Sequence, residues 1–252
     1  MIHVSFSDNS IDIRLPKSWE ELDQQDLSKV YHLMGKYKSA DLKLQIFRYF
    51  ARLRIVRETG DCFLCAVRCD NDTEKAVLLS PLQAAEFFDI LSFIDTPGNT
   101  PVRLNTMRGI PAVNAELHGV KFSDYISLEN YYQGFLASNS SETLSAVASI
   151  LYPDSNFGQL AQHETINIIN WMAQIKNNFS AQFSNFFKPV QECSISRNMS
   201  QLEIMNNEIR ILTGGDVTKE ETVLNSDCWR ALTELDFKAK EAEDIKKQLS
   251  KK

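Results

Sequence analysis

The sequence is poor in the residues that interrupt regular structure. It has nine glycines and seven prolines in 252 residues, which are too few for a loop-rich or all-β protein. Five cysteines are an odd number for a disulfide framework and favour a reducing cytoplasm. No stretch approaches the roughly 18 consecutive apolar residues of a membrane-spanning helix, and the amino terminus lacks the basic and then apolar order of a signal peptide. We therefore expect a cytoplasmic protein with no membrane partner.

Positive charge is also in deficit. The chain has 27 lysines and arginines against 33 aspartates and glutamates, for a net charge of −6 and a pI of about 5.3. Nucleic-acid binding through a broad basic surface is therefore not expected. One cluster of positive charge does occur, at Arg48, Arg52, Arg54 and Arg57. We interpret it as the solvent-exposed face of one helix rather than as a binding site.

Catalytic and metal-binding motifs are incomplete. Residues 163–167 begin like the zinc-protease motif HExxH but end in Asn167, so the second imidazole is missing. Cys62 and Cys65 form a CxxC with Cys69 four residues on, but zinc would need a second pair of ligands. In a strand the first two cysteines also point to opposite faces. We predict no catalytic, cofactor-binding or metal-binding residues. The alternative is a cytoplasmic enzyme or metal-binding protein with an unrecognised site, for which these three cysteines are the best candidates.

What the sequence does contain is one long amphipathic segment, residues 157–187. Its main apolar residues recur at steps of three and four, the helical period, and so share one face. They are Ile168, Met172, Ile175, Phe179, Phe183 and Phe186. Trp171 and Phe187 widen this stripe, whereas Gln174 is predicted on the wet face. At about 1.5 Å per residue the helix would be roughly 45 Å long, and we predict that it organises the fold.

The residues ahead of this segment predict a mixed set of short elements. Alternating apolar residues on both sides of a turn at 7–10 predict an amino-terminal β-hairpin. Capping boxes at Ser18, Ser80 and Asn139 predict helix starts, and Cys62 to Cys69 predicts a strand. Helical spacing of apolar residues predicts helices near 19–34, 41–53, 82–94, 123–136 and 144–151, with short strands and turns over 102–120. The predicted fold class is α+β and predominantly helical.

The chain changes character near Pro189. We predict a mainly helical α+β body over residues 1–189, a polar linker over 190–200 and a helical carboxy-terminal arm over 201–252. In the arm, a short amphipathic helix stops at a glycine pair, and a capping box at Thr218 predicts the next helix. The apolar stripe that follows is narrow, about two residues in seven, which is typical of a helix packed along one partner.

Trp229 is the most informative residue of the arm. Isolated helices of this length are marginal in water unless they bury their apolar stripe, so the arm docks either on its own body or on another chain. We favour another chain and predict Trp229, Leu232 and Leu235 as partner-binding residues, because a compact aromatic and aliphatic anchor dominates many interfaces.

Three segments together resemble a group of phage proteins: LPKSWEEL near the amino terminus, WMAQIKNNFSAQFSNFF in the central helix, and the tail that contains WRALTELD. The chain resembles uncharacterised proteins encoded in phages and prophages of gut Bacteroidetes, which are regarded as tail assembly chaperones or minor virion structural proteins. The resemblance implies a non-enzymatic protein–protein interaction role in phage tail or virion assembly. It also implies partners among tail or virion proteins, in the cytoplasm of an infected host or in the particle. The arm leaves self-association open as the alternative.

Overall fold

The computed structural model describes residues 2–6, 9–60, 62–68, 73–153, 157–187 and 201–250. The chain divides into two compact units. Unit 1 comprises Met1–Gly98 with Gln162–Asn167, and unit 2 comprises Asn99–Ala161 with Ile168–Lys252. This division differs from the predicted body and arm, because the arm belongs to the same unit as Asn99–Ala161. The predicted linker, 190–200, lies outside the described residues.

Unit 1 begins with the predicted hairpin. Strand β1 (Ile2–Phe6) pairs antiparallel with β2 (Asn9–Ile13), and Ile2 lies opposite Ile13. Ile13 and Leu15 are buried, as expected for alternating residues that face the core. The hairpin is confirmed.

Helix α1 (Gln24–Lys36) starts later than predicted. Ser18 makes no side-chain cap, and only a 3₁₀ turn over Trp19–Glu21 follows it. Asp23 instead caps α1, because its Oδ1 accepts a hydrogen bond from the Asp26 amide at 2.8 Å. The predicted capping box at Ser18 is therefore wrong, since an aspartate nearer the helix supplies the acceptor.

Helix α2 (Ser39–Phe50) also ends earlier than predicted. Arg52 has a φ of +48°, which leaves the right-handed helical region, and Leu53 begins strand β3 (Leu53–Thr59). Of the four clustered arginines only Arg48 lies on α2. The interpretation of the cluster as one helical face is therefore wrong.

Strand β3 belongs to a three-stranded antiparallel sheet of order β3-β4-β5, with β4 (Cys62–Arg68) and β5 (Glu74–Leu79). The predicted strand from Cys62 is confirmed. Strand β5 was not predicted, because its six residues are too short a run to show a clear pattern.

Helix α3 (Pro81–Ile90) begins with the predicted capping box. Ser80 Oγ accepts from the Gln83 amide at 3.3 Å, and Gln83 Oε1 accepts from the Ser80 amide at 3.0 Å. A 3₁₀ turn then carries the chain to Asp95. The rings of Phe47 and Phe87 stack with centroids 4.4 Å apart in the core of unit 1.

Unit 2 opens with turns and short strands, as predicted. Strands β6 (Thr106–Met107) and β7 (Ile110–Pro111) pair across a two-residue turn. Arg108 and Gly109 have φ values of +52° and +83°, the backbone that a tight hairpin requires. The helices of unit 2 are α4 (Phe122–Ser138), α5 (Ser141–Leu151), α6 (Gln162–Gln182, whose first six residues belong to unit 1), α7 (Gln201–Thr213), α8 (Glu220–Leu224) and α9 (Cys228–Leu249).

Two helix caps of unit 2 are displaced from their predicted positions. Asn139 has a left-handed backbone conformation and ends α4. Ser140 caps α5, because its hydroxyl oxygen accepts a hydrogen bond from the Glu142 amide at 3.2 Å. Asp216 accepts from the Thr218 amide at 3.1 Å, so it takes the role predicted for Thr218. In both places a neighbouring residue has the backbone geometry that a cap needs.

Helix α6 carries the predicted apolar stripe. Its 21 residues span about 31 Å, less than predicted, because 157–161 are not helical. Six side chains from the helix and the turn after it are 4% exposed or less: Ile168, Trp171, Met172, Ile175, Phe179 and Phe183. The prediction that Gln174 lies on the wet face is wrong. Its side chain is fully buried, and its Oε1 accepts from the Val102 amide at 2.8 Å.

We predict that replacing Phe179 or Phe183 with alanine lowers the free energy of unfolding by about 3–5 kcal/mol. Both rings are buried in the core of unit 2, so each change leaves a cavity. Urea denaturation of the purified variants measures this loss. Phe237→Ala is the control, because Phe237 is 57% exposed on α9, and it should change stability by less than about 0.5 kcal/mol. Equal small effects for all three variants would contradict the organising role of α6.

Candidate functional site

The three predicted partner-binding residues lie within their own unit. Leu232 and Leu235 are at most 1% exposed, and they belong to the same core cluster as the α6 stripe. The Trp229 ring meets Phe179 and Phe183 edge to face, with centroids 5.4 and 5.2 Å apart. In this structure the residues hold the arm on its own chain, the alternative that we did not favour from sequence.

The start of α9 is fastened to the loop before α4. Asp227 accepts from the Trp229 amide at 2.9 Å and from the Gly119 amide at 2.6 Å. The Trp229 indole donates to the Glu116 carbonyl, and its ring stacks on His118 at 4.3 Å. The contacts with Glu116, His118 and Gly119 join residues more than 100 positions apart, so sequence spacing could not have indicated them.

The larger candidate site is a groove of about 580 Å³ between α4 and α7, called here the α4–α7 groove. This volume is in the range of ligand and side-chain pockets. Its lining residues are Tyr125, Ile126, Glu129, Asn130 and Gln133 from α4, Phe186 and Phe187 from the turn after α6, and Ile204, Met205, Asn207, Glu208 and Ile211 from α7.

The apolar rim of the groove is exposed. Ile204 and Ile211 are 38% and 44% exposed, and they lie seven residues apart, so they share one face of α7. Residues 186–187 form the end wall, where two aromatic rings meet edge to face at 4.8 Å. Apolar side chains that meet solvent around a groove are typical of an interaction surface.

Helix α9 holds the aromatic end wall in place. Asp236 Oδ1 accepts from the Asn185 and Phe186 amides at 2.7 and 3.0 Å, and its Oδ2 accepts from Asn185 Nδ2 at 2.9 Å. These bonds satisfy backbone donors in the turn that follows α6. The arm therefore positions the groove although its predicted contact residues lie in the core.

The polar part of the groove is acidic. Burial, with a smaller contribution from Glu129, raises the pKa of Glu208 from 4.5 to about 7. The charged Glu129 carboxylate has a cation as its partner, since its Oε1 accepts from Lys176 Nζ at 2.5 Å and from Gln133 Nε2 at 2.8 Å. Among the described residues, no lysine or arginine forms an ion pair with the Glu208 carboxylate. Burial also raises the pKa of Tyr125 on the groove floor, so this phenol stays protonated.

Sequence reasoning missed this groove. It predicted only a short amphipathic helix at α7, on which Ile209 is buried. Ile204, Glu208 and Ile211 follow one another at steps of four and three, which places a second apolar face with an acid at its centre on the same helix. That pattern was the available signal.

The cysteines do not form a cluster in the described part of the chain. Cys65 is fully buried, and burial raises the pKa of its thiol. Cys62 is half-buried, and Cys69 lies outside the described residues. Where side chains are described, no group of three or more histidine, cysteine, aspartate or glutamate residues could hold a metal ion. The absence of a bound metal stays a prediction.

Within the described ranges, no helix is both long and apolar enough to cross a bilayer.

We expect Trp229→Ala to lower the free energy of unfolding by about 3–5 kcal/mol, because it removes a large ring packed on two core phenylalanines. Trp229→Phe is the matched control. It keeps an aromatic ring but loses the hydrogen bond to Glu116, which should cost about 1 kcal/mol. Calorimetry and sedimentation velocity on the same samples measure stability and self-association. A loss of association with unchanged stability would restore the partner-binding role of Trp229.

The raised pKa of Glu208 predicts a pH-dependent cost of folding. The folded protein holds this proton more tightly than the unfolded chain does, so stability falls as pH rises from about 4.5 through about 7. Glu208→Gln removes this cost and should be more stable than the parent by up to about 3 kcal/mol above neutral pH. The difference should vanish below about pH 4.5, and urea titrations across this range would show a constant difference if the inference were wrong.

Comparison with protein-family models, curated proteins and solved structures finds no significant match for this chain.

Proposed function

We propose that this protein acts by protein–protein contact, through the α4–α7 groove, as a phage tail or virion assembly factor. The single observation that carries the proposal is the exposed apolar rim of a groove that also holds one unpaired acidic side chain. The assembly context rests on the sequence resemblance to phage and prophage proteins. Under this proposal the protein acts in the cytoplasm of an infected host or in the particle.

The groove chemistry defines the partner segment. Ile204 and Ile211 are spaced to receive apolar side chains that recur along one helical face, which is how amphipathic helices enter grooves. Glu208 favours a lysine or arginine between those side chains, since a cation would stabilise its charged form. The expected occupant is therefore an amphipathic helical segment of another phage protein that carries at least one basic residue.

Site-specific photo-crosslinking tests the proposal. A photoreactive amino acid at position 204 or 211, in cells that produce the phage, should crosslink to a tail or virion protein, and mass spectrometry identifies the linked segment. The linked segment should contain apolar residues at helical spacing and a lysine or arginine. The same label at Ile245, 57% exposed on α9, is the control. Crosslinks of equal yield from both places, or crosslinks only to a second copy, would refute the proposed partner.

A synthetic peptide with the sequence of the crosslinked segment then allows a quantitative binding test. Ile204→Glu with Ile211→Glu should weaken its binding by about tenfold or more, because the apolar contacts with the partner's apolar face are lost. Ile245→Glu with Leu249→Glu is the matched control, since both residues are more than half exposed on one helix outside the groove. Equal losses in the two double variants would show that the groove is not the binding site.

Binding should also depend on pH. A basic partner favours ionised Glu208, so affinity should fall as pH drops below about 7. Glu208 faces Glu129 and Tyr125 on α4, with Lys176 on α6 engaged by Glu129. Glu208→Gln should bind more weakly at about pH 8 and lose this pH dependence. A parent affinity that rises on acidification would contradict the role of Glu208.

The alternative is an enzyme or metal-binding protein that uses Cys62, Cys65 and Cys69. Elemental analysis of the purified protein distinguishes it from the proposed function. Stoichiometric zinc or iron, lost when Cys62 and Cys65 are replaced by alanine, would favour the alternative.

A further inference from the structure

A second cleft, of about 490 Å³, lies within unit 1 between α1 and the segment that begins with α2. It is called here the cationic cleft. Lys29, His32 and Lys36 follow one another at steps of three and four, so they share one face of α1. The other lining residues are Leu33, Tyr37, Gln45, Arg48, Tyr49 and Leu53.

No carboxylate from the described part of the chain lines this cleft, although the protein as a whole is acidic. Among the described residues, Lys29, Lys36 and Arg48 form no ion pair. Lys29 instead lies over the Tyr49 ring at 5.8 Å, and Lys36 lies over the Tyr37 ring at 5.4 Å. Cation–π contacts of this kind hold an ammonium group in place without neutralising it.

Arg48 provides an independent indication that the cleft suits an anion. Its Nη1 donates to Gln45 Oε1 at 3.1 Å, but its Nε is buried and has no acceptor in the described structure. A buried charged donor without a partner is costly. The planar guanidinium matches two oxygens of a phosphate, so an oxyanion in the cleft would neutralise the Arg48 charge.

The carboxylate of Asp26, which contacts the lining residue Tyr49, is already engaged. Asp26 accepts a hydrogen bond from the Tyr49 hydroxyl at 2.9 Å. Burial and this bond raise the pKa of Tyr49 to about 12, so the phenol remains a donor to Asp26. Asp26 therefore offsets part of the positive charge but does not pair with the lysines.

We propose that the cationic cleft binds a phosphate ester that carries two or more negative charges, with Lys29, Lys36 and Arg48 as its ligands. Three cations around one open cleft suit a multiply charged anion better than a single carboxylate. The volume of the cleft is sufficient for a small phosphorylated molecule or for the phosphorylated headgroup of a lipid. The site belongs to unit 1 and does not depend on the proposed role of the α4–α7 groove.

Titration calorimetry with pyrophosphate and with adenosine triphosphate tests the cleft on the full chain. Both probes should bind at one site, and Lys29→Gln with Lys36→Gln should weaken the affinity by roughly a hundredfold, about tenfold for each charge-assisted contact. Both lysines are exposed, so this variant should fold. Lys17→Gln with Lys240→Gln is the matched control, because it removes the same charge at exposed positions outside the cleft.

Arg48→Gln tests the half-buried guanidinium separately. It should also reduce the affinity by about tenfold or more, while the stability of the ligand-free protein changes little or rises, because a buried Nε donor without an acceptor is removed. If this variant fails to fold, the double variant Lys29→Gln with Lys36→Gln decides whether the cleft binds the phosphate.

Vesicles identify the source of the phosphate. Sedimentation with vesicles that contain phosphatidylinositol bisphosphate, against neutral phosphatidylcholine vesicles, should show binding if the ligand is a headgroup. Calorimetric binding of the soluble probes without vesicle binding would assign a free phosphate ester. No binding of any probe at about millimolar concentration, where weak anion sites are still detected, would overturn the proposal. An equal loss in the control variant would also overturn it.

Discussion

The fold of unit 2 depends on the burial of one aromatic stripe. Phe179 and Phe183, at the end of α6, are buried and pack against Trp229 from the arm. Large aromatic rings contribute much of the apolar area that a core removes from water. Here they also join segments that are distant in the chain, because Trp229 and Asp227 are hydrogen-bonded to the loop before α4. The arm is consequently a structural part of the unit rather than a free extension.

The proposed contact surface is a consequence of the same packing. Asp236 on α9 fixes the turn that presents Phe186, and the buried side of α7 leaves Ile204 and Ile211 facing outward. Burial of Glu208 in this groove destabilises the charged form, a cost that is commonly accepted at functional sites. The buried carboxylate of Glu208 lowers the stability of the folded protein above neutral pH, and the same carboxylate would select a basic partner.

The two proposed sites have opposite chemistry and belong to different units. The α4–α7 groove is apolar and acidic. In the part of the chain that the structure describes, the cationic cleft is lined by three cations without an ion pair and by no carboxylate. A net charge of −6 gives no indication of the cleft, because overall charge reports an average and binding depends on local charge. Each site is complete within its own unit, so the two proposals can fail independently.

Sequence alone determined the local structure wherever the signal was periodic or short in range. The amino-terminal hairpin, the Ser80 capping box and the apolar stripe of α6 follow from side-chain alternation, from hydrogen bonds across three residues and from helical spacing.

Tertiary structure decided the rest. Gln174 was expected in water but is buried, because the amide of Val102, 72 residues away, supplies its partner. Trp229 was expected at an interface but packs in its own core, because the residues that receive it are distant in the chain. The cationic cleft likewise needs α1 and α2 side by side, and a sequence pattern along one helix carries no information about which charges from another helix will meet it.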